Sequence, residues 1–286
     1  MDSVIFNIDL DFFLDRTSNE AANTSRPGNN EYEVWTDFEV ANFLKCQLGV
    51  DGTHKPPAFR CETHDEVLYA CLRLCDARLL QNPFRLLHID AHDDLDYFRD
   101  AIDAATAYCR TGARPNVEEL EKSGTVNEAN YACFMLALGM LSEYDFVHLE
   151  DSLAPSPSLF CQDEKSIAIP ILEEPFRQYG EEYQVPASEI RLNIFSGQSK
   201  YITARACDDR LIENPIKARY RNWTKDHFFE KSKPAFLFVS RSPKYTPPKA
   251  DRIIDEIMAT LVDFERGERM LRSLGQKTKY HQPPLP

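Results

Sequence analysis

Two short stretches of the chain place acidic and imidazole side chains directly after an apolar run. The first is NIDLDFF, with Asp9 and Asp11, and the second is HIDAHDDL, with Asp90, His92 and Asp94. On an extended chain, residues two apart point to the same side, so each stretch can present its polar groups in one direction. Carboxylates buried in this way are costly unless a counter-charge is present. The two stretches therefore predict a site for divalent metal ions.

The chemical types of these side chains favour a hard or borderline cation. Carboxylate oxygens together with imidazole nitrogens suit Mn²⁺, with Zn, Fe or Co as less favoured alternatives. A D-x-D pair on its own is commonly a turn or a helix N-cap. The DAHDD stretch is harder to explain in that way, because neither histidine nor aspartate gains from lying against an apolar strand without a partner. Both stretches occur in this chain, which strengthens the prediction of a metal site.

The composition is that of a globular protein and lacks the features of a nucleic-acid or membrane binder. The 286 residues are 43% hydrophobic, and the formal net charge of -13 opposes binding to nucleic acid or to an anionic membrane. No apolar run approaches the roughly 20 residues that cross a bilayer. The N-terminus carries acids where a signal peptide carries Lys or Arg. We therefore expect a cytoplasmic protein with reduced cysteines, whose acidity favours a cationic substrate and whose oligomeric state the sequence leaves open.

The hydrophobic pattern alternates between strand-like and helix-like segments. Predicted strands lie at residues 3–10, 84–89, 146–149 and 235–240, and predicted helices lie at residues 36–47, 64–80, 128–141 and 251–272. This alternation favours an α/β fold with a mainly parallel sheet, as a single catalytic domain over residues 1–286. Such sheets gather binding groups at the carboxyl ends of their strands. The irregular, proline-containing segment 152–200 is a candidate insertion that forms a substrate lid.

The two acidic stretches resemble motifs of a known family. DAHDD resembles the D-A-H-x-D signature of the arginase/ureohydrolase family, and NIDLD resembles the D-x-D pair of that family. In these enzymes the two motifs bind a binuclear manganese centre together with an upstream histidine, for which the best match is His64 in CETHDEV. The resemblance implies two Mn²⁺ ions and six ligands, namely Asp9, Asp11, His64, Asp90, His92 and Asp94.

The resemblance is closer to a less-studied branch of these enzymes, and it touches stretches between residues 4 and 258. The matching stretches are HIDAHDDL, IDLDFF, SRSPKYTP and the segment NEANYACFMLALG with VHLED after it. It implies a three-layer αβα fold like that of the arginases and deacetylases. In arginases the D-x-D pair follows D-A-H-x-D, whereas here it comes first, so we expect a permuted strand order, which a parallel sheet tolerates when the chain termini lie close together.

The resemblance also implies a reaction. Members of this branch that are associated with ribosomal peptide biosynthesis are peptide arginases, which convert arginine side chains of a precursor peptide to ornithine and release urea. In such enzymes a metal-bridging hydroxide attacks the guanidinium carbon. The implied partner of this chain is therefore an arginine-containing precursor peptide.

Further polar residues close to the predicted strand ends are candidates for catalysis or substrate binding. His88 lies two residues before Asp90 and is a candidate proton shuttle or support for a ligand, although a hydrogen-bonded core histidine is the plain alternative. Asp93 can face the entrance and pair with a cationic substrate, or it can be a solvated acid. The substrate-binding candidates are Asn130, Glu150, Ser240 and Arg241. Helix capping is the alternative for Asn130, and a structural ion pair is the alternative for Arg241.

Three other functions compete with the hydrolysis of arginine. A metal-dependent amidohydrolase or deacetylase on the same fold normally uses a single zinc with fewer carboxylates. A phosphatase of the haloacid-dehalogenase type can use DLD, but it expects Thr or Val after the second aspartate, where this chain has Phe12. A non-catalytic regulatory protein with a metal-stabilised core is the third alternative.

Overall fold

A computed structural model of the chain describes residues 3–16, 25–95, 111–149, 188–192 and 216–275. Seven strands form one sheet: β1 Val4–Asp9, β2 Ala58–Cys61, β3 Phe84–Ile89, β4 Leu141–His148, β5 Ser188–Leu192, β6 Ile216–Thr224 and β7 Phe236–Ser240. Their order across the sheet is β2-β7-β1-β3-β4-β6-β5. All neighbouring pairs are parallel except the edge pair of β5 and β6, which is antiparallel. The mainly parallel sheet and the permuted strand order are therefore as predicted.

The helices are short and several are irregular. The α-helices are α1 Asp37–Asn42, α2 Asp65–Asp76, α3 Val117–Ser123, α4 Tyr131–Ala137, α5 Ala259–Leu261 and α6 Phe264–Ser273. The π-helical segment Phe43–Gln47 continues α1, and a second π-helical segment, Ile253–Met258, precedes α5. Three 3-10 segments lie at Leu10–Phe13, Lys225–His227 and Pro248–Asp251. Helix α1 begins at a capping box, in which Thr36 and Glu39 each bond to the backbone of the other.

The central strands are buried on both faces, which makes the fold three layers thick. Along β1, Ile5 faces one apolar core, whereas Phe6 and Ile8 face a second core on the other side of the sheet. The first core is covered by α2 and α4, and the second by α1 and the segment Ile253–Met258. This arrangement confirms the three-layer αβα fold that the sequence predicted.

The predicted elements agree with the structure in the centre of the sheet and differ from it elsewhere. Strands β1, β3 and β7 lie where they were predicted, but β4 begins five residues before the predicted strand. The predicted helix 128–141 is shorter, because only Tyr131–Ala137 is α-helical. Of the predicted lid at 152–200, only Ser188–Leu192 is described, as strand β5; the rest lies outside the described residues.

The prediction of one continuous helix over residues 251–272 was wrong. The chain becomes extended at Val262, and Asp263 then caps α6 by accepting a hydrogen bond from the backbone N of Arg266 at 2.8 Å. Asp263 also forms a bridge with Pro57, and its carbonyl accepts a hydrogen bond from the backbone N of Ala58 at 3.0 Å. At this point the backbone forms hydrogen bonds with the start of β2 instead of the hydrogen bonds of a continuous helix. The amphipathic pattern of the sequence does not reveal this interruption.

Helix α6 lies against the backbone of β2, and the close approach depends on Gly267. A Cβ atom at this position would lie 1.9 Å from the carbonyl oxygen of Ala58, well inside van der Waals contact. Because β2 leads directly to the segment that carries His64, this packing also helps to place a predicted ligand. A glycine inside a helix is unfavourable by itself, so the contact with the strand explains its presence.

We predict that Gly267→Ala lowers the free energy of unfolding by about 3 kcal/mol, because the added methyl group forces helix and strand apart. The better helix propensity of alanine recovers only about 1 kcal/mol of this. Urea denaturation followed by circular dichroism measures the change. The matched control is Arg266→Ala at the exposed neighbouring position, for which we expect a change within about 0.5 kcal/mol. Equal stability of the two variants would contradict the proposed close packing.

Candidate metal centre

The carboxyl ends of four adjacent strands meet at one edge of the sheet. Asp9 is the last residue of β1, and Asp90 follows the last residue of β3. The register pairs Ile8 with Ile89, so that the two aspartates emerge side by side. Ser240 ends β7 and pairs with Asp9 on one side and with Cys61 of β2 on the other. The fold thus gathers polar groups at the place where open α/β sheets bind ligands.

Tight turns, rather than extended strands, direct the acidic side chains to one side. The backbone N of Asp11 donates to Oδ1 of Asp9 at 3.1 Å, and the backbone N of His92 donates in the same way to Oδ1 of Asp90 at 2.9 Å. Asp94 has a left-handed backbone conformation, with φ of 50°. The expectation that both motifs continue as extended chain was therefore wrong, although the side chains still converge.

All six predicted ligands lie in one cluster. Oxygen and nitrogen atoms that can bind a metal ion lie within 4.8 Å of one another in three groups: Asp9 with His64 and Asp90, Asp11 with Asp90 and His92, and His88 with Asp90 and Asp94. Asp90 belongs to all three groups. The four aspartates and His64 are buried, whereas the side chain of His92 is 34% exposed. The cluster can hold metal ions, and its exposed side is at His92.

His64 reaches the cluster from the beginning of α2. It occupies the N-cap position of this helix but makes no capping bond, so its ring is available to the cluster. Nε2 lies 3.3 Å from Oδ2 of Asp9, and Nδ1 lies 3.1 Å from Oδ2 of Asp90 and 2.7 Å from Oδ2 of Asp94. A single imidazole therefore contacts three of the four aspartates.

The electrostatics of the cluster show an excess of buried negative charge. Burial, followed by the neighbouring Asp90, raises the pKa of Asp11 to about 7 and that of Asp94 to about 8. Burial and then Asp11 raise the pKa of Asp9 well above its usual value. Burial also acts to raise the pKa of Asp90, but His64 outweighs it and lowers this pKa well below the usual range.

The histidines of the cluster respond in the opposite direction. Burial alone would lower the pKa of His92, but its hydrogen bond with Asp11 and then that with Asp90 raise it to about 12. Burial is likewise outweighed at His64, where Asp9 and Asp90 raise the pKa well above its usual value. Protons thus take the role of counter-charge within the cluster. Divalent cations can replace them, and the carboxylate and imidazole donors are of the type that such cations bind.

His88 lies below the cluster and supports it through a buried polar network. Its Nδ1 lies 3.2 Å from the amide nitrogen of Asn7 and 3.0 Å from the hydroxyl of Tyr131. The Asn7 amide nitrogen can only donate, so Nδ1 is an acceptor and the hydrogen is on Nε2. Nε2 lies 2.9 Å from the carbonyl oxygen of His92 and 3.3 Å from Oδ2 of Asp90. In this tautomer His88 donates towards Asp90 and has no lone pair facing the cluster.

The loop after β7 supplies two contacts to the cluster that the sequence analysis did not identify. The Ser242 hydroxyl donates a hydrogen bond to Oδ2 of Asp9, and the ring of Tyr245 lies 5.4 Å from that of His92. Both residues belong to the quoted stretch SRSPKYTP, from which only Ser240 and Arg241 were selected as candidates. Asn7 and Tyr131 were also missed, although Asn7 precedes Asp9 by two residues just as His88 precedes Asp90.

Arg26 fixes this loop from outside. Its Nε donates to the carbonyl of Thr246 at 2.8 Å, and its guanidinium also bonds to Pro247 and Asp251. The Thr246 hydroxyl in turn donates to the carbonyl of Arg241 at 2.6 Å. The guanidinium therefore connects the segment before α1 to the loop that contacts Asp9 and His92.

Of the other predicted site residues, Asp93, Asn130, Ser240 and Arg241 lie in the described part of the chain. Ser240 is buried, and its hydroxyl has no hydrogen-bond partner among the described residues. The side chain of Asp93 accepts a bond from the backbone N of Leu95 at 3.3 Å. Asn130 bonds through both ends of its amide to residues 125 and 127. Arg241 lies within ion-pair distance of Glu62 and Asp251.

Glu150 lies outside the described residues. Like those of Asp93, Asn130, Ser240 and Arg241, the proposed role of Glu150 in catalysis or substrate binding stays a prediction.

The fold and the cluster together define a class of protein: a three-layer α/β protein with a buried group of aspartates and histidines that can bind metal ions, compatible with a metal-dependent hydrolase. No protein-family model matches the sequence, and no curated protein matches it significantly. Within the described ranges, no helix is long and apolar enough to cross a membrane.

We predict that metal binding releases protons and that the metal affinity rises with pH. The metal-free cluster holds protons on Asp11 and Asp94, whose pKa values are about 7 and about 8, and a metal ion binds the deprotonated groups. Below these values protons compete with the metal, so the affinity falls by about tenfold per pH unit for each proton released. Calorimetry with Mn²⁺ in buffers of different ionisation enthalpy measures the number of protons. The variant Asp94→Asn is the control, because it removes one titrating group. An affinity that is constant from pH 6 to pH 8 would contradict this reasoning.

Proposed function

We propose that this protein is a metal-dependent hydrolase that uses two Mn²⁺ ions to convert arginine side chains of a ribosomally made precursor peptide to ornithine, with release of urea. The observation that carries the proposal is the convergence of all six predicted ligands at the carboxyl ends of β1, β2 and β3. The ligands were selected from their resemblance to arginase motifs, without regard to their positions in space. Their convergence supports a common function.

The cluster has enough donors for two ions. Asp11 and His92 would hold one ion and Asp9 and His64 the other, with Asp90 shared between them. Asp94, whose carboxylate contacts His64 at 2.7 Å, would complete the set. When bound, such ions supply an activated water molecule and neutralise the negative charge of the carboxylates. A single structural or catalytic zinc normally has fewer carboxylate ligands, so this donor set favours the binuclear alternative.

The proposed reaction is hydrolysis of one carbon–nitrogen bond of the guanidinium group. The oxygen of water forms a bond to the guanidinium carbon, and the bond from this carbon to Nε of the substrate arginine breaks. Nε takes up both protons of the water molecule and becomes the ammonium group of ornithine, while the rest of the guanidinium leaves as neutral urea. The positive charge of the substrate is therefore retained in the product side chain.

The residues around the cluster would position the metal ligands during this reaction. His88 donates towards Asp90 and is itself fixed by Tyr131 and Asn7. Ser242 holds one oxygen of Asp9. Such supporting bonds orient the ligands and typically affect metal affinity or activity by about 10- to 100-fold when removed. His92, which is partly exposed, lies on the side from which a substrate can approach.

We predict that Asp90→Asn abolishes Mn²⁺ binding and lowers urea release by more than about a hundredfold, because Asp90 is shared by all three ligand groups. Elemental analysis measures the bound manganese. Mass spectrometry of a peptide with one arginine measures the reaction as a mass loss equal to that of cyanamide. The control is Asp76→Asn, which changes an exposed aspartate at the end of α2, at the opposite end of this helix from His64, and should retain both properties.

Three results would overturn parts of this proposal. Unchanged manganese content in Asp90→Asn would remove the ligand assignment, and wild-type protein that binds less than one Mn²⁺ per chain would remove the binuclear model. Urea release from free arginine but not from the peptide would remove the peptide substrate and leave the hydrolase.

A further inference from the structure

A carboxylate at the rim of the candidate metal centre is not used by the ligand set. Glu128 lies in the turn that precedes α4, three residues before Tyr131. The Tyr131 ring contacts the ring of His64 at a centroid distance of 5.3 Å, and its hydroxyl bonds to His88. Residues three apart on a helical turn lie on the same side. Glu128 therefore extends from the same side of this segment as the residue that touches the cluster.

A second contact places Glu128 beside the loop that covers His92. Lys244 Nζ lies 3.4 Å from Oε2 of Glu128, and the next residue, Tyr245, packs its ring against His92. Glu128 and His92 thus contact consecutive residues of the same loop, Lys244 and Tyr245.

The environment of Glu128 leaves one of its oxygens unsatisfied. The side chain is only 13% exposed, and Oε1 is buried without a hydrogen-bond partner among the described residues. A buried carboxylate oxygen without a partner is costly, so such a group commonly has a partner in the functional state. The one cation that contacts Glu128 in the described part of the chain is Lys244, which is 60% exposed and contacts only the other oxygen.

We propose that Glu128 is the carboxylate that binds the guanidinium of the substrate arginine, and that Lys244 occupies this carboxylate until the substrate displaces it. This inference rests on the proposed function and adds the residue that selects the substrate. A guanidinium offers two parallel N–H donors, which match the two oxygens of one carboxylate. An ammonium such as that of Lys244 acts as a single point charge and does not provide this match. The exchange therefore gives a partner to both oxygens, including Oε1.

The inference predicts opposite effects for the two members of the pair. Glu128→Gln removes the charge but keeps the shape, so KM for the arginine peptide should rise by about 10- to 100-fold, as for the loss of a charge-assisted hydrogen bond. Lys244→Met removes the competing cation and should lower KM severalfold with little change in kcat. The matched control is Glu118→Gln, because Glu118 pairs with Lys122 at 4.0 Å on the exposed surface of α3. This control should leave KM and kcat unchanged.

A binding measurement separates this inference from the proposed reaction. The probes are two versions of the peptide that release no urea. One carries an arginine analogue in which a methylene replaces Nε, which keeps a planar cation, and the other carries citrulline, which has a similar shape and is neutral. Calorimetry on the Mn²⁺-treated full-length chain should show that the wild type prefers the cationic peptide. This preference should be lost in Glu128→Gln and retained in Glu118→Gln, with manganese content equal in all three proteins.

The outcomes distinguish the two proposals. If the wild type prefers the cationic probe through Glu128 but releases no urea, the proposed reaction fails and the assignment of Glu128 as a cation-binding residue is supported. If the wild type releases urea but Glu128→Gln has an unchanged KM and an unchanged preference for the cationic probe, the assignment of Glu128 is overturned and the reaction is supported. A wild type that binds both probes equally also overturns the assignment. A KM for Lys244→Met that rises as it does in Glu128→Gln would overturn the role of Lys244 as a competitor.

Discussion

The burial of four carboxylates at one edge of the sheet is the constraint on which the rest of the structure depends. Among the described residues, the ion-pair partners of Asp9, Asp11, Asp90 and Asp94 are histidines. Imidazole balances this charge only while it is protonated, which explains why the pKa values of His64 and His92 are raised. Burial and mutual repulsion raise the pKa values of three of the acids as well. A site that must bind protons to remain buried is one that divalent cations can stabilise.

The fold satisfies this constraint by means of short-range geometry. Each acidic motif turns back at its first aspartate, where a carboxylate oxygen accepts the backbone N–H two residues later. Each turn fixes the first aspartate of its motif, Asp9 or Asp90, by this hydrogen bond. It also directs the residue two positions later, Asp11 or His92, towards the cluster. Beneath the two turns, Asn7 and His88 are partners in the strand register and meet at Tyr131. Asn7 and His88 are thus neighbours across β1 and β3, just as Asp9 and Asp90 are neighbours at the ends of these strands, and they form a buried polar network beneath the ligands.

The central strands and the candidate ligands could be predicted from sequence because their signals are local. An apolar run that ends in alternating acids is visible at both Asp9 and Asp90, and helical spacing places His64 before a helix. Strands β2 and β6 could not be predicted in this way. In β2 only four residues are extended, and β6 carries charged side chains such as Arg221, which pairs with acids of β4. The contacts of Ser242, Tyr245 and Arg26 depend on residues that are far apart in sequence, so their roles became visible only in three dimensions.

The permuted strand order does not prevent the candidate ligands from meeting, because the distances between them depend on neighbours in the sheet. Asn7 and His88 are 81 residues apart in the chain, yet they lie side by side in β1 and β3. Here β1 pairs with β3 and β7 on its two sides and packs against an apolar core on both faces. Asp9 therefore follows a strand that is paired on both sides, and its position in the sheet, not its position in the sequence, decides its suitability as a metal ligand.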